Sequence, residues 1–66
     1  MRVQLIRWVN IVQRIEGFKP FVVERVPEDI AQERIAKYER EDKYEAEVEG
    51  LEFPHGMPKY TIEYGN

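Results

Sequence analysis

The stretch from Lys43 to Phe53 constrains the fold more than any other. It reads Lys43-Tyr44-Glu45-Ala46-Glu47-Val48-Glu49-Gly50-Leu51-Glu52-Phe53, so Tyr44, Ala46 and Val48 alternate with glutamates. That is the period of a half-buried strand, apolar on one side and acidic on the other. After Gly50 the parity shifts by one, and a glycine β-bulge there would keep Leu51 and Phe53 on the apolar side. The rest of the chain is then read for what covers that side.

At the amino terminus Val3, Leu5, Val9, Ile11 and Ile15 occupy odd positions, interrupted by Arg7 and Gln13, and the β-branched enrichment suits a long strand. Leu5, Trp8, Val9, Val12 and Ile15 also fit a helical stripe about 120° wide, so residues 2–15 read as strand or helix. The strand is preferred, because the helix would leave Val3, Ile6 and Ile11 outside its stripe and has no capping residue before it.

Glu16-Gly17-Phe18-Lys19-Pro20 reads as a turn, and Phe21 to Val26 as the second strand of a hairpin. Pro27-Glu28-Asp29 is a helix start, with proline and two carboxylates in the first turn. The pattern of Ile30, Ala31, Ile35 and Tyr38 carries that helix to about Glu41. Two prolines and a glycine make Phe53 to Pro58 a loop. Tyr60, Ile62 and Tyr64 then alternate as a last strand, expected to pair antiparallel with Lys43 to Phe53.

The expected architecture is a small α+β fold, a single domain over residues 1–66, in the order ββαββ: an antiparallel sheet with one helix packed on one face. Its core should be Val23, Ile30, Ala31, Ile35, Tyr38, Tyr44, Ala46, Val48, Leu51, Phe53, Tyr60 and Ile62. One helix covers only one face, so Ile6, Trp8, Val12, Phe18 and Val22 are expected to project without cover.

Composition removes most chemistry. The chain has no Cys and no Ser, which excludes disulfides, thiolate metal sites and the commonest nucleophiles. His55 is the only histidine; it sits in the Pro54–Met57 loop with no partner fixed by sequence, and reads as solvated. On a strand, Glu45, Glu47 and Glu49 would stand about 7 Å apart, too far for adjacent carboxylates to share one divalent ion tightly. No metal, cofactor or catalytic residue is therefore expected. No apolar run is long enough to span a membrane and Met1 leads directly into patterned sequence, so a cytoplasmic protein is expected. Eleven Glu and six Arg against no Cys, one Thr and two Asn suit a thermophilic source.

The net charge of −3 is uneven. The first twenty residues carry four bases against one acid, and the remainder six bases against twelve acids. An apolar face without cover is usually buried against another protein through aromatic anchors. Trp8, Phe18 and Phe21 are the candidate anchors, with Arg7, Arg14 and Lys19 as a polar rim. Two other readings stand beside this one. The same basic and aromatic segment could bind single-stranded nucleic acid, although the chain as a whole is acidic. An exposed edge strand could pair with its own copy to give a homodimer.

Taken whole, the chain resembles the small inhibitor proteins of hyperthermophilic archaea, the Thermococcales, that bind the replication sliding clamp, PCNA. The likeness lies in the length, in a Met1–Ile15 segment rich in Val, Ile and Arg, and in the run Pro27-Glu28-Asp29-Ile30-Ala31-Gln32-Glu33-Arg34-Ile35. Clamp partners generally carry a Gln followed three residues later by an aliphatic residue and then two adjacent aromatics. Gln13 to Phe21 has those ingredients in a different spacing, and Arg7 stands where Gln4 would need the aliphatic. The resemblance implies a non-catalytic regulator that engages the clamp through another surface and reduces its use by the polymerase.

Overall fold

The computed structural model describes residues 5–65. Arg2, Val3 and Gln4, read above as part of the first segment, lie outside the described residues. The order is β1 (Trp8–Arg14), β2 (Phe21–Pro27), α1 (Glu28–Glu47) and β3 (Lys59–Glu63). The three strands form one antiparallel sheet in the order β2-β1-β3, with the helix against one face. The small α+β fold with a single helix on an antiparallel sheet is as the sequence predicts, and Trp8–Arg14 is strand rather than helix.

The β1–β2 hairpin turns where Gly17 supplies the required backbone. Gly17 has φ +88° and the Phe18 N–H donates to the Ile15 carbonyl at 3.0 Å. A positive φ at the third position of a four-residue turn is the type II arrangement, which favours glycine. β1 and β2 then pair from Trp8 opposite Pro27 to Gln13 opposite Phe21. The register slips between Ile11 and Val12: Ile11 faces Glu24 and Val12 faces Val22, leaving Val23 without an opposite number, as in a β-bulge. The bulge lets both Val23 and Glu24 turn toward the helix, where Val23 packs on the core and Glu24 meets Arg34.

Pro27 ends β2 with φ −59° and ψ 143° and serves as the helix cap residue, but no side chain caps the helix. The Glu28 N–H instead donates to the Arg7 carbonyl at 2.7 Å, which satisfies one of the orphan donors of the first turn and ties the segment before β1 to the helix. Ala31 and Ile35 are the buried positions of α1, and together with Val9, Ile11 and Val26 they form the core. Val23, Tyr38, Tyr60 and Ile62 close its margins.

The stretch Lys43 to Phe53 is not a strand. The helix runs six residues past Glu41, through Glu47, and residues 51–53 are irregular. Glu, Lys and Ala are strong helix formers and weak strand formers, and no glycine or proline interrupts the chain before Gly50, so propensity overrides the period-two pattern. Gly50 (φ +70°) is a helix stop and not a bulge: the Leu51 N–H turns back to the Glu45 carbonyl at 2.9 Å. β3 consequently pairs with β1, from Asn10 opposite Glu63 to Arg14 opposite Lys59.

The core shifts with it. Tyr44, Val48 and Leu51 are exposed, Ala46 and Phe53 are half-buried and Ile30 is at the margin. Val9, Ile11, Val12 and Val26 take the buried places. A 20-residue helix is about 30 Å long and a seven-residue strand about 20 Å. The last turns of α1 therefore extend past the sheet, and Tyr44 and Val48 have little to pack on.

Candidate partner-binding surface

Alternation along β1 places Val9, Ile11 and Gln13 toward the helix and Trp8, Asn10, Val12 and Arg14 on the opposite face. Among the described residues that face carries no second layer, since they leave a shortest axis of only 11 Å and stacked layers are about 10 Å apart. Trp8 is 49% exposed there and Val22, on β2, equally so. Val12 departs from the expectation of a bare side chain: it is 1% exposed, seated between its cross-strand neighbours Val22 and Thr61. Ile6, in the irregular segment before β1, is exposed as expected.

The three aromatic candidates fall into two places. Phe18 (60% exposed) and Phe21 (64%) lie at the turn end of the hairpin beside Val22. Trp8 lies at the other end of β1, about 20 Å away by strand rise. Phe18 meets His55 edge-to-face at 4.8 Å between ring centroids, so the 53–56 loop docks on the hairpin turn. His55 itself is exposed.

Two of the three basic candidates are already engaged. The Arg7 guanidinium lies 5.5 Å from the centre of the Tyr64 ring, a cation–π distance. The Glu28 carboxylate beside the Tyr64 hydroxyl raises its pKa, because loss of the phenol proton would set two negative charges together. Arg14 donates from Nε to Thr61 Oγ1 at 3.2 Å and from Nη2 to Glu63 Oε1 at 2.6 Å, bracing β1 to β3 across the open face. Lys19 is exposed in the turn.

The helix side holds two polar clusters that the sequence reading missed. Glu24 accepts both Arg34 Nε (2.6 Å) and Arg34 Nη2 (2.9 Å). This bidentate pair lowers the Glu24 pKa and raises that of Arg34. The pair was hidden because the bulge turns Glu24 to the side that strict alternation from Val23 assigns to solvent. Tyr60 donates to Asp42 Oδ2 at 2.7 Å, accepts from Gln13 Nε2 at 3.1 Å and stacks on Tyr38 at 5.2 Å. Burial, and then the Asp42 carboxylate, push the Tyr60 phenol up to about 12. Asp42 lies beyond the expected end of the helix at Glu41, and its one signal in the sequence is its place one helical turn beyond Tyr38, which sets the two on one helix face.

Glu45, Glu47 and Glu49 do not line a strand; they crowd the C-terminal end of α1. Among the described residues no group of three or more His, Asp or Glu side chains is placed to hold a metal ion, and no helix is long and apolar enough to cross a membrane. A shallow groove of about 470 Å³ between the last turns of the helix and Met57–Pro58 includes none of the candidate residues. Comparisons with protein-family models, with curated proteins and with solved structures return no match.

Proposed function

We propose that this protein is a non-catalytic regulator that acts by binding a larger protein. The observation that carries this reading is the exposure of Trp8 and Val22 on a sheet face that no second layer covers among the described residues, and of Phe18 and Phe21 at the turn end of the hairpin, Phe21 on the helix side opposite Gln13. Large aromatic side chains left in water at the end of a rigid hairpin are the anchors that protein interfaces bury. The hairpin is held by its turn, by the core and by the docked 53–56 loop, so little ordering cost accompanies binding. The sequence resemblance singles out an archaeal sliding clamp as the partner, with reduced clamp use by the polymerase as the outcome. A nucleic-acid role draws less support, since Arg7 and Arg14 already serve Tyr64 and Glu63.

The test is titration calorimetry against a purified archaeal clamp, with the wild type and with Trp8→Ala/Phe18→Ala. The double variant should keep its circular dichroism, because neither side chain belongs to the core, and should lose at least tenfold in affinity. Single substitutions then separate the two ends of the hairpin. A folded double variant with unchanged affinity removes these anchors, and no complex with the wild type removes the clamp.

A further inference from the structure

The two edges of the sheet differ in how they meet another strand. β2 is a poor template: it carries a bulge at Val23, ends in Pro27, which has no N–H to offer, and would set Glu24 against Glu24 if paired with itself about its midpoint. β3 has none of these features. Its sequence is Lys59-Tyr60-Thr61-Ile62-Glu63, with no proline or glycine within the strand. One edge pairs with β1, so alternate residues turn their N–H and C=O groups outward on the other.

We propose that β3 pairs antiparallel with β3 of a second copy of this chain, about a two-fold axis at Thr61, to give a continuous six-stranded sheet. The strand is self-complementary. An antiparallel pair centred on Thr61 sets Thr61 opposite Thr61, Lys59 opposite Glu63 at both ends, and Tyr60 opposite Ile62. Each of these pairs falls on a single face, as strand geometry requires of directly opposed residues. Thr61, Lys59 and Glu63 take the open face, where they alternate with the core-facing Tyr60 and Ile62. Tyr60 and Ile62 extend the helix-side apolar layer across the junction, as an aromatic and β-branched pair.

The charges are ready for this arrangement. Lys59 is exposed and makes no ion pair among the described residues. Glu63 is held by Arg14 through Oε1 alone, which leaves Oε2 to accept from the partner's lysine. A one-residue slip would point every side chain to the wrong face, and a two-residue slip would misalign both ion pairs. The register is therefore specified by sequence. The junction lies on the β3 edge, away from Phe18, Phe21 and Val22, and is independent of the partner proposed above.

The test uses light scattering over micromolar to millimolar concentrations. The wild type should pass from 7.9 kDa to twice that mass. Lys59→Glu sets two glutamates at each end of the junction and Glu63→Lys sets two lysines there, so each variant alone should stay monomeric. Mixed in equal amounts they restore both opposite-charge pairs, and a heterodimer should appear. In parallel, amide exchange of residues 59–63 in the wild type should slow as concentration rises, a readout that needs no variant. A wild type that stays at 7.9 kDa with exchange independent of concentration overturns the proposal. So does a dimer that both single variants retain, or a mixture that stays monomeric while both variants are folded.

Discussion

On the helix side of the sheet, Val9 and Ile11 of β1 are sealed under Ala31 and Ile35, with Val26 beside them. On the far side the same strand offers Trp8 half to water and relies on Arg14, which reaches across to Thr61 and Glu63. One strand thus serves two environments at every second residue. Apolar burial stabilises the first face, and a small chain with a five-residue buried cluster has little of it to spare. Exposed ion pairs add little to the second, so substitutions at its exposed positions should cost little.

The sharpest way to break the contrast is to truncate side chains one step apart. Ile11→Ala removes a fully buried side chain and should cost about 2–5 kcal/mol in urea denaturation, enough to unfold much of the population. Val12→Ala, buried on the far side between Val22 and Thr61, should cost about 1–2 kcal/mol, and Trp8→Ala about 1 kcal/mol. Equal losses at Ile11 and Trp8 would show that the two faces are not energetically distinct.

Alkaline pH probes the polar rim of the helix side. The Tyr60 phenol is raised from 10.0 to about 12 in the folded chain, so the folded state keeps a proton that the unfolded state releases. Stability should be intact below pH 10 and fall as pH rises from 10 toward 12. In Tyr60→Phe, melting temperatures measured across that range should decline less steeply. Tyr38 and Tyr64, also raised, keep part of the slope. At neutral pH the same substitution loses two hydrogen bonds, each worth about 0.5–1.5 kcal/mol.

The smallest effect is expected where α1 leaves the sheet. Its last turn holds no basic residue, and Glu45 and Glu47 stand at the negative end of the helix dipole. Glu47→Lys should therefore stabilise by about 0.3–1 kcal/mol, read as slower amide exchange near Val48. No change there would mean that the overhanging turns are anchored by contacts other than the dipole.

These same particulars show what is legible in the chain and what is not. Gly17, Pro20 and Pro27 punctuate it where the turn and the helix start actually fall, and Tyr60 and Ile62 alternate as they do in β3. Lys43 to Phe53 misleads because tyrosine, alanine and valine at every second position satisfy a strand template, whereas backbone preference is set by the glutamates and lysine between them. Glu24 is misplaced by a single unpaired residue in β2. The core positions on β1 are partly hidden because Val12, on the far face, is as buried as Val9 and Ile11, so apolar residues run together at Ile11 and Val12 and blur the alternation. The candidate anchors are readable as exposed aromatics, but their separation along the hairpin follows only from the pairing register.

The strand order has one more consequence, for the sequence of events in folding. β1 lies at the centre of the sheet yet comes first in the chain, and its second neighbour comes last, with Arg14 and Glu63 separated by 49 residues. A nascent chain can close the hairpin and wind the helix while one edge of its central strand still faces water. The sheet is completed only when Lys59–Glu63 arrives, after a long loop has been closed. A chain cut short before β3 would present that unprotected edge of β1 to every other copy in the cell, and aggregation rather than a smaller fold is its expected fate.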